Sequence, residues 1–213
     1  MDDTIGRAAP AGRRERKKAA TRQAIADAAL RLFLERGYDQ VSVREIAESA
    51  DVSVSTVFNY FPGGKEALVF DEDAGNEARL VAAVTDRPAD RTIPEALRAH
   101  FTGFATSPHT RDPRFADLQE LVRQTPALRE YARAMTLRHE NALAVALAEQ
   151  TGRPHDDLLC AAYARFTLET LAFAGSRPDP VAAIDEAMLL LDRGWTAAVA
   201  PPGPAAPTAG QML

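Results

Sequence analysis

The chain has 213 residues, enough for one large domain or two small ones, and its 46% hydrophobic and 26% charged content is ordinary for a globular protein. It holds no 18-residue apolar run and its N-terminus lacks the apolar core of a secretory leader, so neither a membrane span nor export is expected. A net charge of −5 argues against a nucleic-acid partner until its distribution is read: residues 1–22 carry seven basic side chains against three acidic ones, a basic segment on an acidic body.

Residues 1–13 read as a flexible basic arm, with a merely solvated terminus as the other reading. Ile25, Ala28, Ala29, Leu32 and Phe33 recur at helical spacing and predict a first helix from near Arg14, stopped by Gly37. Ser42 and Glu45 fit a capping box that opens a short second helix running to about Ala50. Ser53 is a good cap for a third helix reaching about Phe61. Pro62-Gly63-Gly64 then breaks the chain, and a fourth helix is expected from Lys65. Longer helices follow near 92–106, 113–124, 126–151, 155–175 and 179–199, separated by Pro- and Gly-bearing turns. Residues 200–213 hold four prolines among Ala and Gly, a composition that cannot build a core and reads as a disordered tail.

The second and third helices have the proportions of a helix-turn-helix. Ala47 is the small residue where the helices cross, and Asp51 tolerates the left-handed turn between them. Ile46, Ala50, Val52, Val57 and Tyr60 supply internal contacts, leaving Val54, Ser55, Thr56 and Asn59 on the outer side of the third helix. Short hydroxyls, methyls and an Asn suit base edges in a major groove, since Asn can bond adenine bidentately and methyls can touch thymine. Ser53 and the N–H groups beside it suit a phosphate, and so does Lys65, whose other reading is simple exposure. The expected organisation is all-α: a three-helix helix-turn-helix domain over 14–64 joined to a larger helical domain over 65–199.

At this point "RQAIADAALRLFLERGYDQVSVREIAESADVSVSTVFNYFPGGKEAL", residues 22–68, resembles the TetR family of bacterial transcriptional regulators. The resemblance lies in the apolar first helix, Gly-Tyr before the second, V-R-E-I-A, the V-S-x-x-T core, Tyr-Phe ending the third helix and Lys-Glu-x-Leu after it. Carried over by position, it implies that Ser42, Arg44, Tyr60 and Lys65 touch phosphates. It implies that Val54, Ser55, Thr56 and Asn59 face bases, and that Arg13 to Lys18 lie near the DNA. Asp51 and Ser55 stand where glycines are common, Gly63-Gly64 makes the loop one residue longer, and Asn59 fills a variable position, so the operator sequence does not transfer.

Val181, Ile184, Met188, Leu191 and Trp195 recur at spacings of three and four, a seam for helix packing. With Phe166 and Phe173 on the preceding helix, two such helices from each subunit would make a four-helix homodimer bundle, and intrachain core is the other reading. The family architecture favours the homodimer, with dimer residues Phe166, Phe173, Ile184, Met188, Leu191 and Trp195. For a small-molecule effector the candidates are Phe101, Phe104, Leu118, Val122, Tyr131, Met135, His139 and Phe166, with His139 either a satisfied core histidine or a polar group facing the ligand. The stretch from "LVRQTPALREYARAM" to "DPVAAIDEAMLLLDRGW" is similar to a TetR subgroup associated with acyl-CoA-like ligands. Cys160 reads as a small core residue, with a redox sensor as the remote option, and a lone cysteine suits a reducing cytoplasm.

No catalytic constellation is present. The four histidines lack metal-ligand spacing, and there is no nucleophile elbow, P-loop or dinucleotide fingerprint, so no enzyme, metal or cofactor is expected. The expected function is a cytoplasmic, homodimeric repressor on a palindromic double-stranded DNA operator, released by a small hydrophobic or acyl-CoA-like effector. The alternative is a DNA-binding regulator governed by a protein partner.

Overall fold

The computed structural model describes residues 12–175 and 177–199, so nearly all of the expected arm and the whole expected tail lie outside the described residues. Among those residues the chain forms helices and no strand: α1 (Arg13–Arg36), α2 (Val43–Ser49), α3 (Val54–Tyr60), a 3₁₀ turn (Glu66–Leu68), α4 (Asp73–Thr85), α5 (Ile93–Ala105), α6 (Pro108–Arg111), α7 (Pro113–Gln124), α8 (Pro126–Thr151), α9 (Leu158–Gly175) and α10 (Pro180–Val199). None of them is long and apolar enough to cross a membrane.

Side-chain caps set many of these starts. The Glu45 carboxylate accepts from Ser42 N at 2.8 Å and Ser42 Oγ accepts from Glu45 N at 3.3 Å, so each satisfies an orphan donor at the head of α2. The bonds that the Glu45 carboxylate accepts from Ser42 N and Ser42 Oγ, and then Arg36, hold it down to about 2. Thr92 and Glu95 repeat the box at α5. Asp157 and Asp179 accept from Cys160 N and Ala182 N, both at 3.0 Å, and start α9 and α10.

The expected helix from Lys65 is replaced by a turn. Its bonds run three residues apart, Leu68 N to Lys65 O at 3.3 Å and Val69 N to Glu66 O at 3.0 Å, and α4 begins only at Asp73. The reason is packing: Leu68 is buried and Val69 and Phe70 pack on the same core, which three consecutive positions of an α-helix cannot all face. A short α6, capped by Ser107, also appears where only a turn is expected.

The chain divides into two compact units. The first runs to Asp73 and adds Pro113–Ala132; its core holds Ile25, Ala29, Phe33, Ile46, Val57, Phe61, Leu68 and, from α8, Leu128. The second holds Ala74–Asp112 and the chain from Arg133, around Leu97, Phe101, Leu143, Leu147, Ala164, Ile184 and Met188. Cys160 is fully buried there, and burial pushes its thiol up, as suits a small core residue.

The expected dimer seam is corrected here. Ile184, Met188 and Trp195 are buried inside the protomer, and Leu191 packs against the same core. The stripe is apolar because α10 covers α5 and α9 of its own chain; Trp195 packs against Tyr163 with the rings tilted by 42° and their centroids 4.4 Å apart. Phe166 and Phe173, also expected at the dimer, are exposed on α9, as are Leu158 on α9 and Leu189 and Leu190 on α10.

Candidate nucleic-acid interface

Helix α3 is fixed by its inner side. Val57 and Phe61 are buried beside Ile46 and Ala47 of α2, and Val52 N donates to Ala47 O at 2.9 Å across the bend. Asp51 takes the turn with φ +53°, a left-handed conformation that Asp tolerates better than most residues.

With roughly 100° per residue, the opposite side of α3 spans Val54, Phe58, Ser55 and Asn59 in angular order. All four are exposed, Val54 by 38% and Phe58 by 48%. Phe58, absent from the expected set, therefore sits inside this arc. Its signal in the sequence is its place four residues after Val54.

Thr56, expected to face bases, also bonds within the helix cap. It is half-buried and its hydroxyl lies 2.8 Å from Ser53 Oγ, which also accepts from Thr56 N at 3.1 Å. Ser53 and Ser55 are exposed, with hydroxyls 2.8 Å apart. Of the expected phosphate residues, Arg44 is exposed, Ser42 has its hydroxyl in the capping box, and Tyr60 is half-buried against the core of the first unit.

Lys65, expected at a phosphate, turns inward. Its ammonium donates to the Tyr38 carbonyl and lies 3.9 Å from the Tyr38 ring centroid and 5.5 Å from that of Phe33. Burial pushes the ammonium down, against Asp39, Glu66 and Glu45, which push it up. Lys65→Met keeps most of the stem and removes the charge. It is expected to cost about 1 kcal/mol of stability through the lost carbonyl and ring contacts. The slope of operator affinity against salt is expected to stay unchanged. A slope shallower by about 0.9 for each lost contact would place Lys65 on phosphate after all.

Arg13, Arg14, Arg16, Lys17 and Lys18, expected near DNA as an arm, form the exposed first turns of α1. A shallow groove lined by Glu15, Lys18, Ala19, Arg22, Asn59 and Tyr60 joins this basic end to the end of α3. Arg22 spans the same junction: its guanidinium donates to Tyr60 O at 2.8 Å and Asp71 O at 2.7 Å and lies 4.3 Å over the Phe61 ring. A cation on the first helix thus fixes the far end of α3, a contact across 38 residues that no local pattern announces.

The expected effector residues divide between the two units. Leu118, Val122 and Tyr131 lie in the first unit, where Val122 packs on the core and Tyr131 stacks on Phe70 at 5.2 Å. Phe101, Phe104, Met135, His139 and Phe166 lie in the second. Phe101 is core, while Phe104 and Phe166 are exposed. His139 is largely buried with Nε2 4.0 Å from Glu77 Oε2.

A family model described as "Bacterial regulatory proteins, tetR family" matches residues 25–71, and one described as "MftR C-terminal domain" matches 78–195. The chain is 26% identical over 144 residues to the putative mycofactocin biosynthesis transcriptional regulator MftR of Mycobacterium tuberculosis, covering 68% of this chain and 72% of that one. It is 41% identical over 68 residues, 32% of each chain, to the transcriptional repressor KstR of Mycolicibacterium smegmatis. The regulator FadR of Bacillus subtilis, solved in complex with stearoyl-CoA, shares the fold at a TM-score of 0.52 and 22% identity, over 79% of this chain and 96% of that one.

Proposed function

Because the chain belongs to the TetR family of DNA-binding transcriptional regulators, we propose that it acts in the cytoplasm as a homodimeric repressor, released from a palindromic operator by a small apolar or acyl-CoA-like effector. The observation that carries the reading is the uncovered outer arc of α3 with the basic turns of α1 reached through a shared groove. Ser55 and Asn59 supply hydrogen bonds to base edges, while Arg44 and the α1 cations supply the sequence-independent attraction to phosphate.

Repression is supported by the likeness to KstR, a repressor by name. A second copy of the chain is the partner that the exposed apolar residues of α9 and α10 fit, and two-fold symmetry doubles the base pairs read. A groove of about 320 Å³ between Thr170, Phe173, Ala183, Glu186 and Ala187 offers a seat for the partner's side chains. An apolar or acyl-CoA-like effector is supported by the stearoyl-CoA bound to FadR, whose fold the chain shares. An effector that prefers one conformation lowers DNA affinity by linkage.

Selection of bound DNA from a random pool tests the reading, and an inverted repeat is the expected product. Asn59→Ala is then expected to weaken that operator by about 1–3 kcal/mol and to relax one position per half-site. Recovery of random sequence would defeat the proposal. Control by a protein partner is the second reading, favoured by Phe101, an expected effector residue, lying in the packed core of the second unit. A panel of acyl-CoAs and apolar metabolites separates the two, because a true effector raises the melting temperature.

A further inference from the structure

We propose that Phe58, together with Val54, reads the 5-methyl groups of thymines in each operator half-site. The inference rests on the DNA-binding reading above and names what the reading surface selects.

The two side chains lie four residues apart on α3, so they stand one above the other on a single side of the helix. Neither joins the core of the first unit, whose α3 contribution comes from Val57, with Phe61 just beyond and Tyr60 packed at its margin. An exposed Phe beside an exposed Val is therefore not explained by folding. Their flanks narrow the choice of occupant: Ser55 and Asn59 complete the same arc, and the Lys18 and Arg22 groove opens beside Asn59. An apolar pair framed by hydrogen-bonding groups and cations fits the floor of a DNA groove better than an apolar protein patch.

In the major groove the base edges are mainly polar, and the largest apolar group there is the C5 methyl of thymine, where cytosine carries only hydrogen. A phenyl ring can neither donate nor accept there, so guanine, cytosine and adenine edges facing it would lose water without gaining a partner. Phe58 thus penalises three bases and gains surface burial on the fourth. Asn59, beside it on the arc, matches the N6 and N7 edge of adenine. Together they call for a run of A·T pairs at the centre of each half-site. That specificity comes from one ring and one amide rather than from an Arg–guanine pair.

The test uses the native protein and the operator it selects from a random pool, remade with deoxyuridine in place of each thymidine. Uracil keeps every hydrogen-bonding group and removes only the methyl. The expected result is about a fourfold loss of affinity for each contacted methyl, and about tenfold or more when both half-sites are changed. Thymines outside the contacted positions are expected to be insensitive. The Phe58→Ala/Val54→Ala double variant is expected to bind the thymine and uracil operators alike. Equal binding of both operators by the native protein would overturn the inference while leaving DNA recognition standing. Absence of any selected sequence would defeat the function proposed above and this inference with it.

Discussion

A Phe166→Glu/Leu190→Glu double variant is expected to be a folded monomer that binds the palindromic operator about a hundredfold more weakly, or worse. Phe166 is 57% exposed and Leu190 is 74% exposed, so neither charge enters the protomer core. Substitutions at such surface sites change stability by about 0.5 kcal/mol or less. In a bundle formed with a second copy the same charges would be desolvated against apolar neighbours, where an unpaired carboxylate is strongly unfavourable. Loss of the dimer leaves one reading head per molecule, and the gain from two linked half-sites, about a hundredfold or more, disappears. Light scattering gives the mass, circular dichroism the melting point, and a gel shift the affinity. A dimer that survives both charges would move the interface away from α9 and α10. Met188→Glu is the contrasting case: Met188 is 1% exposed, so its charge is expected to unfold the second unit rather than to separate the copies.

That contrast explains what is legible in the chain and what is not. Periodicity locates the stripe of Ile184, Met188 and Trp195 correctly as apolar and packed, but a stripe carries no label for whether its cover is the same chain or another. Outward Leu189 and Leu190 sit beside it in sequence and escape the pattern because they break its spacing. The caps are legible because they are local: Ser42 with Glu45, Ser53 and Asp157 each act on a backbone group three residues away. Thr56 is ambiguous for the converse reason, since a hydroxyl that suits a base edge also suits its own helix cap. The neighbours of Lys65 in sequence point to phosphate, whereas its carbonyl and ring partners, Tyr38 and Phe33, lie about thirty residues back, the carbonyl 27 residues away. The expected effector residues rest mainly on apolar character, a property that core and pocket share.

Leu128→Ala is expected to lower the stability of the first unit by about 2–5 kcal/mol, although residue 128 lies in the segment matched by the C-terminal family model. Leu128 is fully buried, and the core it joins is that of Ile25, Phe33, Ile46 and Val57. Removing three side-chain carbons there forfeits their transfer energy and leaves a cavity among helices held by α1. For a unit of this size each kcal/mol moves the melting point by about 4–8 °C, so the shift should be plain by calorimetry. Leu137 provides the control: it stands on the same α8 helix, in the second unit and 54% exposed, and Leu137→Ala should move stability by about 0.5 kcal/mol or less. Hydrogen exchange should place the loss from Leu128→Ala in α1 to α3 as well as in the start of α8. If protection falls only in the second unit, Leu128 belongs to the effector region that its position in the sequence suggests. If it falls in α1 to α3, the unit that carries α3 depends on a residue about seventy positions downstream. A fragment ending at Asp73 would then carry the whole helix-turn-helix yet lack some of the core that holds it.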